Sequence, residues 1–368
     1  RIGSAWYVLL RCLPGQRDGS LAWYKEFSGF LQEEARVQFS VEAPALFRIP
    51  HADEPQPQAV TIPGHSTTVT VADQGLTQHP PDAGGLIHVD DVLTAGEISV
   101  LEGLESKVRA RYKITVQWLT CEGEELVFLK RRHFIVEGRL LIEPHQRHFG
   151  KLAELIGGLP RSPKRSPMPS TVDPSEAPLG DDKAGRFRSA VGVLLYLQPD
   201  LVAAQYGIRH LSTFMATPTE GAWKTLKHVV SYVCSTSDHC VCLDIPVRGS
   251  GQIKQHLPCD VMEIMTDADW SGDSRTRKSV SSCQVFINGH LLLSTSRTQK
   301  AISLSSCESE LNASEAAVIE GILLRTAHEF LHRLPSATCL LGDSAAARGV
   351  MQRSGVGKVR HISGKLLW

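Results

Sequence analysis

The chain has 368 residues, 42% of them apolar and 21% charged, with 39 basic side chains balancing 39 acidic ones. That composition suits a globular chain of two or three compact units and excludes a uniformly basic nucleic-acid binder or a disordered chain. No apolar run approaches the roughly 18 to 20 residues of a membrane helix, no basic-then-apolar leader opens the sequence, and the nine scattered cysteines read as reduced thiols, so an intracellular protein without a membrane span is expected.

In chain order, Leu13-Pro14-Gly15-Gln16-Arg17-Asp18-Gly19 reads as a turn, and Trp23, Phe27, Phe30 and Leu31 then fall at helical spacing. Residues 51–83, rich in Pro, Gln, Thr and His, read as an irregular insertion. Leu86-Ile87-His88-Val89-Asp90-Asp91-Val92-Leu93 places two short apolar strands around an acidic pair, a hairpin pattern. A helix is predicted over 97–112, then strand-like runs at 126–129 and 140–142 with a turn at Glu137-Gly138-Arg139. Residues 158–183, with repeated Pro, Ser, Gly and charge, are the clearest linker and the expected domain boundary. Beyond it, 186–236 are helical in pattern, and 260–362 run strand, strand, strand, long helix, strand, short helix, an α/β order. The expected division is 1–157, linker 158–183, helical 184–259 and α/β 260–368. Arg1 and the basic, apolar stretch before Trp368 read as cut ends of something longer.

The basic run Lys130-Arg131-Arg132-His133 continues through Arg139, His145, Arg147, His148, Lys151, Arg161, Lys164 and Arg165 with few acids between them. By charge alone it fits a solvated face and flexible linker better than a binding surface. The acids have similar alternatives. Asp90-Asp91 is as compatible with a plain turn as with a metal site, although adjacent carboxylates repel unless solvent or a cation neutralises them. Asp267 closes a predicted strand, where an aspartate can simply cap, and Asp343 ends another and can serve as a helix N-cap. Ser305-Ser306-Cys307-Glu308 has the capping-box form, which gives Glu308 a structural role. Glu310 has none, and helical spacing sets it beside Ala313 on the sheet-facing side, where an acid is costly unless paired or bound to metal. Two strand-end aspartates and a helix glutamate can converge on one pocket, as two-metal phosphodiester hydrolysis requires, with its ions about 4 Å apart.

The segments Thr266-Asp267-Ala268-Asp269-Trp270-Ser271-Gly272-Asp273, Lys278-Ser279-Val280-Ser281 and Leu304-Ser305-Ser306-Cys307-Glu308-Ser309-Glu310-Leu311 resemble the ribonuclease H segment of Copia-type retrotransposon Pol polyproteins. The stretch from Arg188 to Lys224 is similar to that family's connecting region, Gly15 to Tyr24 to its GLKQAPRAWY segment, and His88-Val89-Asp90-Asp91 to its YVDD polymerase motif. The resemblance implies an α/β chain: an α+β palm remnant of a reverse transcriptase, then a ribonuclease H-like mixed sheet with helices. It implies Asp90 and Asp91 as polymerase metal ligands and Asp267, Glu310 and Asp343 as nuclease metal ligands, with Mg²⁺ as the metal. It implies phosphate contacts from Lys130, Arg131, Arg132, Arg139, Arg275, Arg277 and Lys278, and places Gly15 and Arg17 at the nucleotide region. The implied partners are an RNA–DNA hybrid, a primer-template duplex and the rest of the Pol polyprotein, in a cytoplasmic virus-like particle or the nucleus. Departures are equally specific. A further polymerase aspartate is expected upstream of Arg1, His88 replaces the usual Tyr, and Ser363 stands where the family has a fourth nuclease carboxylate. An element fragment that folds and binds nucleic acid without turnover is the alternative to an active enzyme.

Overall fold

A computed structural model of the chain describes residues 19–51, 58–61, 68–71, 82–160, 162, 164–173, 175–244, 260–273, 275–332 and 336–353. Mixed helices and sheets make it an α/β chain, as expected, and it divides into two compact units, Arg1–Val116 with Leu323–Pro335 and Gln117–Ile322 with Ser336–Trp368.

The first unit holds α1 (Gly19–Ala35), β1 (Gln38–Phe39), β2 (Leu46–Ile49), β3 (Gln58–Thr61), β4 (Thr68–Val71), β5 (Ala83–His88), β6 (Asp91–Gly96) and α2 (Ile98–Arg111). The predicted spacing buries Phe27, Phe30 and Leu31 of α1, which join Phe47, Ile87, Leu104 and Val108 in one core against the antiparallel sheet β1-β2-β5-β6. The predicted hairpin is β5–β6, with His88 opposite Asp91 and Val89-Asp90 as its two-residue turn. Residues 51–83 are not wholly irregular, because β3 and β4 pair as an antiparallel hairpin; their Thr and Val favour strands even where Pro and Gln flank them.

The second unit begins with β7 (Glu125–Phe128), β8 (Arg131–Val136), β9 (Arg139–Pro144) and α3 (Arg147–Leu155). Then come α4 (Asp181–Leu197), a 3-10 turn at Val202–Ala204, α5 (Gln205–Ser212), α6 (Glu220–Ser235) and β10 (Val241–Asp244). It closes with β11 (Asp260–Ala268), β12 (Val280–Ile287), β13 (His290–Thr298), α7 (Ser306–His332), β14 (Ser336–Leu341) and α8 (Ala345–Gln352), the predicted order for this stretch; α7 passes into the first unit at Leu323. Between the two expected strands at 126–129 and 140–142 lies a third, β8, and β10 joins them in a sheet ordered β10-β9-β8-β7.

The compositional break at 158–183 does not separate two cores. Phe149, Leu152 and Ile156 before it share one buried cluster with Phe187, Val191, Leu194, Leu211, Leu226 and Val230 after it. Described residues of the segment are instead tied to α6, and its last three begin α4: Lys224 Nζ pairs with Asp173 Oδ2 at 2.6 Å, and the Gly221 amide donates to Ser175 O at 3.2 Å. The units part at Val116–Gln117, where composition gives no sign.

The sheet that positions the acidic site is ordered β13-β12-β11-β14, with β11 antiparallel to β12 and parallel to β14. Met262 and Ile264 of β11 are buried, and α7 lies so close that a Cβ at Gly321 would overlap Ile264 Cδ1.

Candidate metal centre

Asp267 is the penultimate residue of β11, and Asp343 follows β14 by two residues. The parallel ladder runs to Met265 opposite Leu341, so two further residues in register bring the aspartates level on neighbouring strands, whose spacing is about 4.8 Å. Glu310, in the second turn of α7, reaches the same point from the helix. One carboxylate oxygen from each of the three lies within 4.8 Å of the others. Asp267 and Asp343 are exposed, whereas Glu310 is only 9% exposed. Burial first, and then the negative charges of Asp267 and Asp343, hold the Glu310 carboxyl above the ordinary glutamate range, against the pull of a hydrogen bond from the Ala268 amide.

Neighbouring residues take the structural roles that the trio could otherwise fill. Ser344 caps α8, its Oγ accepting from the Ala347 amide at 3.2 Å, so Asp343 is not the N-cap. Asp269 closes the end of the β11–β12 ladder, its Oδ1 accepting from the Val280 amide at 2.6 Å. Glu308 completes the capping motif: its amide donates to Ser305 Oγ at 3.2 Å and its Oε2 accepts from the Leu304 amide at 2.7 Å.

A buried polar brace beside the trio has no counterpart among the sequence motifs. Gln299 Nε2 donates to Ser309 O at 2.8 Å and to Ser281 Oγ at 3.0 Å, while Ser303 Oγ donates to Gln299 Oε1 at 2.7 Å. Trp270 Nε1 donates to Ser303 O at 3.1 Å. Together these bonds fix the start of α7 to the sheet beside Glu310. No local pattern announces a brace whose partners lie on three separate elements.

The donor set suits a hard divalent cation. All three groups are carboxylates, oxygen ligands of the kind Mg²⁺ prefers, and their mutual repulsion is relieved by a bound positive charge. Among the described residues, no other group of three His, Cys, Asp or Glu side chains has metal-holding geometry.

Asp90 and Asp91 are exposed at the tip of the β5–β6 hairpin, with no third acid drawn to them among the described residues. That tip is strained and pinned: Val89, a β-branched residue, has φ 58°, and Trp23 Nε1 donates to its carbonyl at 2.9 Å. Of the basic residues, Arg131 forks onto Asp200 at 2.8 and 3.0 Å, Arg132 pairs with Glu143 at 2.8 Å and Glu125 at 3.0 Å, and Arg139 lies 3.4 Å from Asp244. Arg275 stacks over the Phe214 ring at 4.2 Å and bonds Thr213 Oγ1 at 2.8 Å. Arg277 is exposed and Lys278 half-buried in the β11–β12 connection, and Lys130 is exposed in the β7–β8 turn. Gly15, Arg17 and Ser363 lie outside the described residues.

No family model matches the chain. It is 26% identical over 235 residues to the Retrovirus-related Pol polyprotein from transposon RE2 of Arabidopsis thaliana, an alignment covering 61% of this chain and 14% of that protein. It is 32% identical over 142 residues to Secreted RxLR effector protein 161 of Plasmopara viticola, covering 38% of this chain and 90% of that protein. A foamy viral protease-reverse transcriptase solved in complex with an RNA/DNA hybrid overlaps 70% of this chain and 30% of its own, at 12% identity and TM-score 0.38. The chain thus spans about one seventh of the length of the Arabidopsis polyprotein. Among the described residues no helix is long and apolar enough to cross a membrane.

Proposed function

The chain belongs to the retrotransposon Pol polyprotein family, and from that premise we propose that Asp267, Glu310 and Asp343 form a ribonuclease H centre that hydrolyses the RNA strand of RNA–DNA hybrids. The observation that carries the reading is the convergence of three carboxylate oxygens within 4.8 Å, while the capping of α7 and α8 falls to Glu308 and Ser344. Mg²⁺ held by this trio would supply charge neutralisation and Lewis acidity at a scissile phosphodiester. The protein's part is positional. Asp267 and Asp343 present their carboxylates to solvent, where a substrate phosphate can approach. Glu310, buried and braced through Ser309 and Gln299, fixes the third corner. Arg277 and Lys278 lie on the connection that leaves β11 just beyond Asp267, a suitable origin for contacts to the hybrid's phosphates.

In the first unit, the strained hairpin carrying Asp90 and Asp91 supports a reverse transcriptase palm as its origin. Nucleotidyl transfer completed by a further aspartate, and assembly with the rest of a Pol polyprotein, are the corresponding proposals for that unit.

The test is cleavage of an end-labelled RNA–DNA hybrid by the purified chain across a Mg²⁺ titration. Cleavage of the RNA strand that EDTA stops, and that Asp343→Asn removes, is the expected result. Activity that persists in EDTA or in Asp343→Asn would overturn the assignment. Hybrid binding without cleavage at any Mg²⁺ concentration would instead identify a folded, inactive element fragment.

A further inference from the structure

We propose that Lys130, His145, Arg147 and Lys151 form a contact site for the phosphate backbone of a nucleic-acid duplex. The proposal rests on the nucleic-acid function argued above, but it moves the binding surface away from the arginines of the same sheet. Pairing of β8 with β9 sets Arg131 opposite Pro144, so the residues just beyond that pair, Lys130 and His145, emerge side by side at one end of the sheet. Lys130 sits in a tight two-residue turn with Leu129, both at positive φ, between the paired residues Phe128 and Arg131. The chain enters α3 immediately after His145, whose Nδ1 accepts from the Arg147 amide at 3.1 Å. Lys151 follows Arg147 by four residues and shares its face of the helix.

His148 reports on the field at this point. Its ring lies 5.1 Å from that of Tyr196, its Nε2 is buried with no hydrogen-bond partner, and the charges acting on it are Arg147, His145, Lys130 and Lys151, with no acid among them. Arg131, Arg132 and Arg139 each have a carboxylate partner, whereas Lys130, Arg147 and Lys151 form no ion pair with any described residue. So much like charge on adjacent turns is self-repulsive, and a polyanion relieves it. Lysine heads on flexible stems bind phosphates as point charges, a mode that positions a duplex without reading its sequence.

The test measures binding of a short fluorescent RNA–DNA hybrid to the full chain in EDTA, by anisotropy across a salt series. The triple variant Lys130→Gln/Arg147→Gln/Lys151→Gln should bind roughly tenfold more weakly or worse, with a salt slope shallower by about 0.9 for each phosphate that is no longer neutralised. Arg147→Lys/Lys151→Arg, which keeps the charge, should bind like the unaltered chain. If the triple variant melts early, Lys151→Glu alone provides the same reading of the slope. Unchanged affinity and slope in the folded variant, or no salt-sensitive binding by the unaltered chain, would overturn the proposal. Because EDTA removes any role for the carboxylate trio, binding that depends on the cluster in a chain that never cleaves sinks the nuclease reading alone. Cleavage by a chain whose binding ignores the cluster sinks this one alone.

Discussion

Glu308 caps α7 while Glu310, two residues on, belongs to the proposed metal trio, so weakening the cap and removing the Glu310 carboxylate should leave different signatures. Ser305→Ala, which removes the acceptor for the Glu308 amide, should cost about 1 kcal/mol of stability, with cleavage per folded molecule unchanged. Glu310→Gln should reverse the pattern. It removes a buried carboxylate from beside two others, so thermal stability should hold or rise, while metal-dependent cleavage falls by about a hundredfold or more. Denaturation midpoints and hybrid cleavage, measured on both variants, check the pair. Equal loss of activity in the two would mean that Glu310 serves the fold and not the metal.

Packing at the scale of elements makes two further expectations. Gly321 lets α7 approach β11, so Gly321→Ala sets a gain of about 1 kcal/mol in helix propensity against about 1–3 kcal/mol of overpacking on Ile264. A net loss of stability is expected, recovered in part by Ile264→Val in the same chain, and chemical denaturation of the single and double variants measures it. The second concerns α5 and β8. Burial depresses the imidazole of His210, aided by Arg209 and Arg275 against the opposing Asp273, and burial likewise depresses His133. Both imidazoles are more easily protonated once unfolded. Their contribution to stability is therefore complete above the ordinary value of 6.5 and is lost as pH falls through the lower folded values. Stability measured from pH 7.5 down to 5 should decline, and His210→Phe should flatten that decline.

The same scale shows what sequence could and could not convey. Local signals are legible: the capping box of α7 and the β5–β6 hairpin are each written within a few residues, and each element from β11 to α8 carries its own periodicity. Long-range pairings are not. β10 joins β9 across about a hundred residues, and Arg131 meets Asp200 across 69, so the arginines on the strands of a basic run that reads as open in sequence, Arg131, Arg132 and Arg139, are neutralised in the fold. The 158–183 segment shows the same limit, since Pro and Ser mark exposed backbone without saying whether the cores on either side are one.

For the whole molecule, a formal charge of zero conceals opposed local fields: three carboxylates at the strand ends and a cationic cluster at the start of α3. A cation that binds only the folded state stabilises it by about 2.7 kcal/mol at one hundred times its dissociation constant. Mg²⁺ or Mn²⁺ should therefore raise the melting temperature by several degrees, and Asp343→Asn should cancel the rise; calorimetry with and without the ion decides. The parallel ladder between β11 and β14 has a further consequence, for how such a gene decays. Asp267 and Asp343 stand level only because the register holds, and a shift by one residue turns every side chain of a strand to the other face. An in-frame loss or gain of one codon within β14 would therefore erase the centre as completely as mutating an aspartate, while every carboxylate stayed in the sequence. Descendants of this element can be sorted on that basis, by the length of this strand as well as by the identity of its acids.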